Sequence, residues 1–270
     1  MKDQHLFIDG HVHFYGPEHV QAGLSAASRN FRSLASSAGL LVDYGLLLLA
    51  DPKMAPGFSW VDRLSQRHSG DSLSETWQIV SKPDDDLLHL AKSNELPLAI
   101  FGGRQLISAE NLEVLIFPSA AAGEDGQPAD QLVARAAERD GLAILPWGVG
   151  KWLGQRGKTV SIILDRNHSV PITVGDNGGR PRIWRRVRIL KDARTAGLSD
   201  IAGTDPLPLP GEELRIGTFG VSSSSTVDQN WTAGDFVNLL RAGQFQRFGQ
   251  LMPFKDFVAK QMALRMVGKS

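Results

Sequence analysis

Short apolar runs that break off at Gly, Asp, His or Pro recur along this chain, and they restrict its fold more than any other feature. Leu6-Phe7-Ile8 leads into Asp9-Gly10-His11-Val12-His13, and Tyr44 to Ala50 is a leucine run closed by Asp51-Pro52. Leu112 to Phe117, Leu142 to Pro146, Ile172 to Val174 and Ile201 to Asp205 repeat the pattern. Strands that are apolar without alternation suit a sheet covered on both faces. Between them lie stretches with helical spacing, near 17–38 and 128–139. Strands alternating with helices predict a parallel α/β architecture. The expected fold is a single (β/α) barrel over residues 1–270, TIM-like, with distorted or seven-stranded versions included.

Two regions depart from the alternation. Trp77 to Val80 and Pro97 to Phe101 read as strands around Lys82-Pro83-Asp84-Asp85-Asp86, which predicts an inserted hairpin near 76–102 with the aspartates in its turn. After Pro210 the strands are expected to stop, with a loop at Ser222 to Ser225 and terminal helices near 233–241 and 253–267.

A chain of 270 residues buries enough surface to need no staple. Lys plus Arg number 29 and Asp plus Glu 29, so no global field favours nucleic acid or an anionic membrane. With no cysteine, disulfides, thiolate catalysis and Cys-ligated zinc are excluded. The amino end lacks the pattern of a signal peptide and no apolar stretch reaches bilayer length, so a cytoplasmic protein is expected. No Gly-x-Ser-x-Gly setting supports a serine hydrolase.

Asp9-Gly10-His11-Val12-His13-Phe14 carries the strongest chemical signal. Residues two apart on a strand point the same way, so His11 and His13 at a strand's carboxyl end can share one divalent ion. Asp205, in Gly203-Thr204-Asp205-Pro206, ends the last expected strand and faces the same mouth. It could ligate the ion and accept a proton from a metal-activated water. Trp147-Gly148-Val149-Gly150-Lys151 follows a strand, where barrel enzymes keep functional loops. Its Lys151 suits an anionic group and its Trp147 a pocket wall. Gly175-Asp176-Asn177-Gly178-Gly179-Arg180 lacks the spacing of a dinucleotide or P-loop motif, yet its amides, Asn177 and Arg180 could hold a carboxylate or phosphate. Arg104, in Gly102-Gly103-Arg104-Gln105, is a further anion-binding candidate, and Asp176 a second candidate base.

These motifs resemble the amidohydrolase superfamily and the polymerase-and-histidinol-phosphatase family of metal-dependent phosphoesterases. Both open with His-x-His on the first strand, matched by His11 and His13, and close with a strand-end Asp, matched by Asp205. Glu113 resembles the bridging carboxylate of the phosphoesterases. The resemblance implies a metal-dependent hydrolase that uses Zn²⁺ or Mn²⁺ to attack an amide-like or phosphoester bond of a small anionic substrate. The chain departs from both families in its middle strands. Leu145-Pro146-Trp147-Gly148 stands where Ala-His-Pro is common, Asp176-Asn177 replaces a histidine, and His168 precedes its strand. The expectation is therefore one ion, held by His11, His13 and Asp205, with Glu113 as second-ion ligand or support. An inactive barrel serving as a binding or scaffold protein is the rival reading. A metal-free lyase or isomerase using Lys151 and Asp176 is the third.

Overall fold

The computed structural model describes residues 4–53, 55–65, 77–82, 85–166, 172–184, 186–224 and 231–267. His68 and His168 lie outside the described residues. Among those described, eleven strands form one sheet: β1 (Gln4–Val12), β2 (Leu41–Asp51), β3 (Gln78–Lys82), β4 (Asp85–Lys92), β5 (Leu98–Ile107), β6 (Glu113–Phe117), β7 (Leu142–Pro146), β8 (Ile172–Asn177), β9 (Asp200–Gly203), β10 (Phe219–Ser223) and β11 (Gln246–Gly249). Nine follow one another edge to edge as β11-β10-β1-β2-β5-β6-β7-β8-β9, while β3 and β4 branch from β5. Seven α-helices flank them: α1 (Pro17–Ala38), α2 (Gly57–Ser65), α3 (Ala129–Glu138), α4 (Gln155–Arg166), α5 (Arg188–Thr195), α6 (Ala233–Ala242) and α7 (Phe254–Val267). No described helix is long and apolar enough to cross a membrane.

The sheet is mixed and nearly closed into a barrel. β1–β2–β5 and β7–β8–β9 are parallel, but β6 runs against both of its neighbours, and β10 and β11 are antiparallel as well. The expectation of a wholly parallel sheet is corrected on this point. Only Ser108 to Leu112 separates β5 from β6, which is room for a tight return and not for a crossover helix. The hairpin is also redrawn. β3 pairs with β4, whereas β5 is a strand of the main sheet beside β2. Asp85 and Asp86 open β4, and Pro83 and Asp84 lie outside the described residues. Ser222 and Ser223, expected in a loop, end β10 and are buried against β1.

Each strand divides its side chains between two faces. Leu6, Ile8, Leu46, Leu48, Ala99, Phe101, Leu115, Phe117, Leu142 and Ile144 share the interior cluster, which Phe236, Val237 and Leu240 of α6 complete. The alternate residues pack outward. Phe7, Leu47, Leu49, Leu98 and Ile100 meet α1 and α2, and Val114, Ile116, Ala143, Leu145, Ile172 and Val174 meet α3, α4 and α5. Helix α1 shows why the flanking layer forms. Pro17 starts it, Val20, Leu24, Ala27, Phe31 and Ala35 fall on one buried stripe, and Gly39 at φ 69 ends it with its N–H on Ala35 and Ser36 carbonyls.

The barrel closes where β9 meets the second half of β1. β10 pairs with Leu6 to Ile8 and leaves the following residues open to β9. The two backbones then approach so closely that a Cβ on Gly203 would lie 2.2 Å from the His11 nitrogen, and one on Gly10 would lie 2.8 Å from the Ala202 carbonyl oxygen. Asp9, fully buried, binds the junction together. Its carboxylate accepts from Thr204 N at 2.8 Å, Thr204 Oγ1 at 2.6 Å and Gly217 N at 2.9 Å. Asp205 N donates to the His11 carbonyl at 2.8 Å.

Candidate metal centre

That junction is also where the chemistry gathers. His11 lies within an irregularity in the register of β1 with β2, His13 follows just past the strand, and their rings meet edge-on at 4.6 Å. Asp205 follows β9 with φ 45, a left-handed conformation that Asp tolerates better than most residues and that concentrates at functional positions. Its Oδ1 lies 3.8 Å from His11 Nε2 and 3.4 Å from His13 Nε2. One donor atom from each of the three side chains falls within 4.8 Å of the others, a spacing that could hold a metal ion. Asn177 Nδ2 donates to Asp205 Oδ2 and leaves Oδ1 facing the imidazoles.

The electrostatics suit the same use. Burial pushes the His11 pKa down to about 4, so its ring is neutral near pH 7, the form in which imidazole ligates. Burial by itself would raise the Asp205 pKa, but His11, His13 and Lys151 outweigh it and hold this carboxyl well below the usual range. Tyr15, whose ring lies 5.7 Å from that of His13, is pushed above the usual phenol range by burial and by Asp205, Glu113 and Glu212. His13 Nδ1 is buried with no hydrogen-bond partner among the described residues.

The remaining expected residues divide. Trp147, Lys151, Asn177, Arg180 and Asp205 line one cavity of about 240 Å³. Glu113 reaches the same rim, though from the amino end of the reversed strand β6. Both its oxygens accept from Lys151 Nζ at 2.5 Å, and it stands outside the His11–His13–Asp205 group, paired with a cation. Burial opposes the charge on Lys151, but Glu113 and Asp205 prevail and raise its pKa.

The reading of Asp176 as a base is corrected. It has the outward parity of Ile172 and Val174, and its carboxylate takes Arg180 Nε at 3.0 Å and Nη2 at 2.7 Å, with Arg247 as a further partner. A carboxylate so engaged has no free oxygen for a substrate proton. Arg104 shares the outward parity of Leu98 and Ile100 and lines a separate depression with Asp51 and Lys53.

Some site residues carry no signal by type or motif. Gln105 Oε1 lies 3.0 Å from His11 Nε2. Its parity with Ala99 and Phe101, both interior, is the one clue the sequence offers. Arg215 and Lys260 also line the cavity, and both bind Glu212, which is buried. Lys260 comes from α7, which forms a wall with Phe257 and Leu264, and nothing local in the sequence places it there. Every cation on this wall is thus braced from behind by a carboxylate of its own chain.

No family model matches the chain, and no curated protein matches it. Among solved structures, the crystal structure of PsfC from Pseudomonas syringae PB-5123 is similar, with 14% sequence identity, 99% of each chain covered and a TM-score of 0.60. A likeness at that identity is one of fold.

Proposed function

We propose that this protein is a metal-dependent hydrolase of a small anionic substrate. One observation carries the reading: His11, His13 and Asp205 bring three donor atoms within 4.8 Å at the mouth of a barrel, beside a cavity rich in cations. Two neutral imidazoles and one ionised carboxylate are the donors of catalytic zinc sites, and a His and carboxylate set also accepts manganese. A divalent ion held there would supply Lewis acidity and bring the pKa of a water to about 7.

The chain's own residues supply the remainder. Asn177 fixes Asp205 so that Oδ1 serves the ion and stands ready to take a proton. Lys151, steadied by Glu113, places a positive charge where an oxyanion develops. The Arg180 guanidinium carbon lies 5.6 Å from the Trp147 ring centroid, and the side of the cavity that the two line would hold the substrate's anionic group through free guanidinium N–H groups. Tyr15 keeps its proton and remains a hydrogen-bond donor.

Metal analysis of protein purified without chelator tests the reading. One ion per chain is expected, and His11→Ala with His13→Ala should abolish it while the melting transition survives, because the core does not depend on it. Equal metal content in parent and double variant would exclude the site and favour a binding protein.

A further inference from the structure

We infer that Gln105 is a fourth ligand of this ion, its side-chain carbonyl oxygen entering the coordination shell beside His11, His13 and Asp205. The inference rests on the metal reading above and adds a donor that neither residue type nor motif suggests.

Strand geometry puts Gln105 in position. Ala99 and Phe101 of β5 belong to the barrel interior, and the two-residue period carries that face to 103 and 105. Gln105 is thus the last inward residue before β5 ends at Ile107. The ring nitrogen it meets is the more telling fact. A residue that only orients a ligating histidine bonds to the nitrogen turned away from the metal. Gln105 Oε1 instead approaches Nε2 of His11, at 3.0 Å, and Nε2 is the atom that faces Asp205 Oδ1 at 3.8 Å. Gln105 therefore lies on the metal side of the ring.

The spacings agree. Two donors about 2.1 Å from one ion are about 3.0 Å apart at a right angle and about 3.4 Å apart at the tetrahedral angle. The observed separations are 3.0 Å for Gln105–His11 and 3.4 Å for His13–Asp205, which match these two angles, and 3.8 Å for His11–Asp205, which corresponds to a wider angle of about 130°. Chemistry points the same way. Without an ion, the Gln105–His11 contact is a hydrogen bond that needs the imidazole proton on Nε2. With an ion, the Nε2 lone pair is used for coordination and that proton belongs on Nδ1. Two lone pairs 3.0 Å apart would then repel unless both face the same cation. A carboxamide oxygen is also a hard, uncharged donor, which tilts the shell toward Mn²⁺ relative to two imidazoles and a carboxylate alone.

The test uses the full chain, stripped of metal and titrated with Mn²⁺ and Zn²⁺ by calorimetry, with Co²⁺ as spectroscopic probe. Gln105→Leu should weaken Mn²⁺ binding by roughly tenfold to a hundredfold, the scale on which metal sites respond to loss of a supporting group. The visible Co²⁺ bands should shift in intensity as a donor is lost. Gln105→Glu, which puts a charged oxygen there, should bind Mn²⁺ more tightly than the parent. An unchanged Co²⁺ spectrum in Gln105→Leu, with or without weaker binding, would move Gln105 outside the shell and overturn the inference. If Gln105→Leu does not fold, Gln105→Glu decides alone, since a charged oxygen in the shell must tighten binding and alter the spectrum. A parent that binds no ion refutes the metal reading itself, an outcome separate from a parent that binds an ion indifferently to residue 105.

Discussion

A buried guanidinium locked onto a buried carboxylate acts as one unit, and Arg180 with Asp176 is such a unit, both almost without solvent exposure. Breaking a pair of this kind leaves a stranded charge, which costs more than the pair itself contributes. Arg180→Ala should therefore cost about 3 kcal/mol, the low end for a broken buried pair, because Arg247 still reaches Asp176. Urea unfolding should show a lower midpoint with an unchanged slope. A variant as stable as the parent would mean that Arg180 serves the ligand alone. The neighbouring pairs Asp176/Asn177 and Arg104/Gln105 show what residue type conceals. In both, the charged member draws attention while strand parity turns it outward, and the neutral amide faces the site. Parity was available in the sequence; which face was interior was not, because these strands are apolar on both. His11, His13 and Asp205 needed no such choice, since their strand-end motifs already identify them.

A side chain of strand β2 binds the start of helix α2, beside the apolar packing of Leu47 and Leu49 with Val61 and Phe58. Asp51 ends β2 and accepts from Phe58 N at 2.9 Å, satisfying a free donor in the first turn of α2. Its other oxygen is buried with no partner among the described residues, and burial pushes its pKa up to about 6. Between about pH 4 and 6 the folded chain thus holds a proton at Asp51 that the unfolded chain, with its ordinary value of 3.8, has released. The contribution of Asp51 is therefore best below about pH 4 and declines as pH rises through 6. The stability difference between parent and Asp51→Asn should fall by about 3 kcal/mol over that window and then level off, at 1.36 kcal/mol per pKa unit. Unfolding titrations at a series of pH values measure it, and a difference flat across pH would refute the raised value. Elements as a class were legible where an apolar run met a punctuating residue. β10 and β11 were not: Ser222 and Ser223 are polar residues buried by pairing, and Gln246 to Gly249 is an exposed edge. The direction of β6 depends on a five-residue connection whose length, more than its composition, decides between return and crossover.

At the scale of the whole molecule, a barrel of mixed strand directions is held shut at one seam. Asp9 gathers donors from Thr204 and Gly217, so Asp9→Ala would strand buried N–H groups at about 1–3 kcal/mol each. A total loss of about 3–5 kcal/mol is expected from denaturant unfolding. A loss under about 1 kcal/mol would show that the seam closes without it. Barrel closure and a strand-end Asp205 facing the histidines were foreseeable from the alternation of runs, but the buried Asp9 that ties the closing strand to the first was not. Contacts between residues 9–11 and 202–205 exist only once the chain has travelled round the barrel. The carboxylates behind Lys151, Arg180, Arg215 and Lys260 have a consequence for how a ligand arrives. Paired opposite charges are dipoles, and a dipole's field dies away much faster with distance than that of a bare ion. An incoming anion is therefore captured rather than steered: it finds the mouth by ordinary diffusion, and ionic strength governs how firmly it stays more than how often it comes.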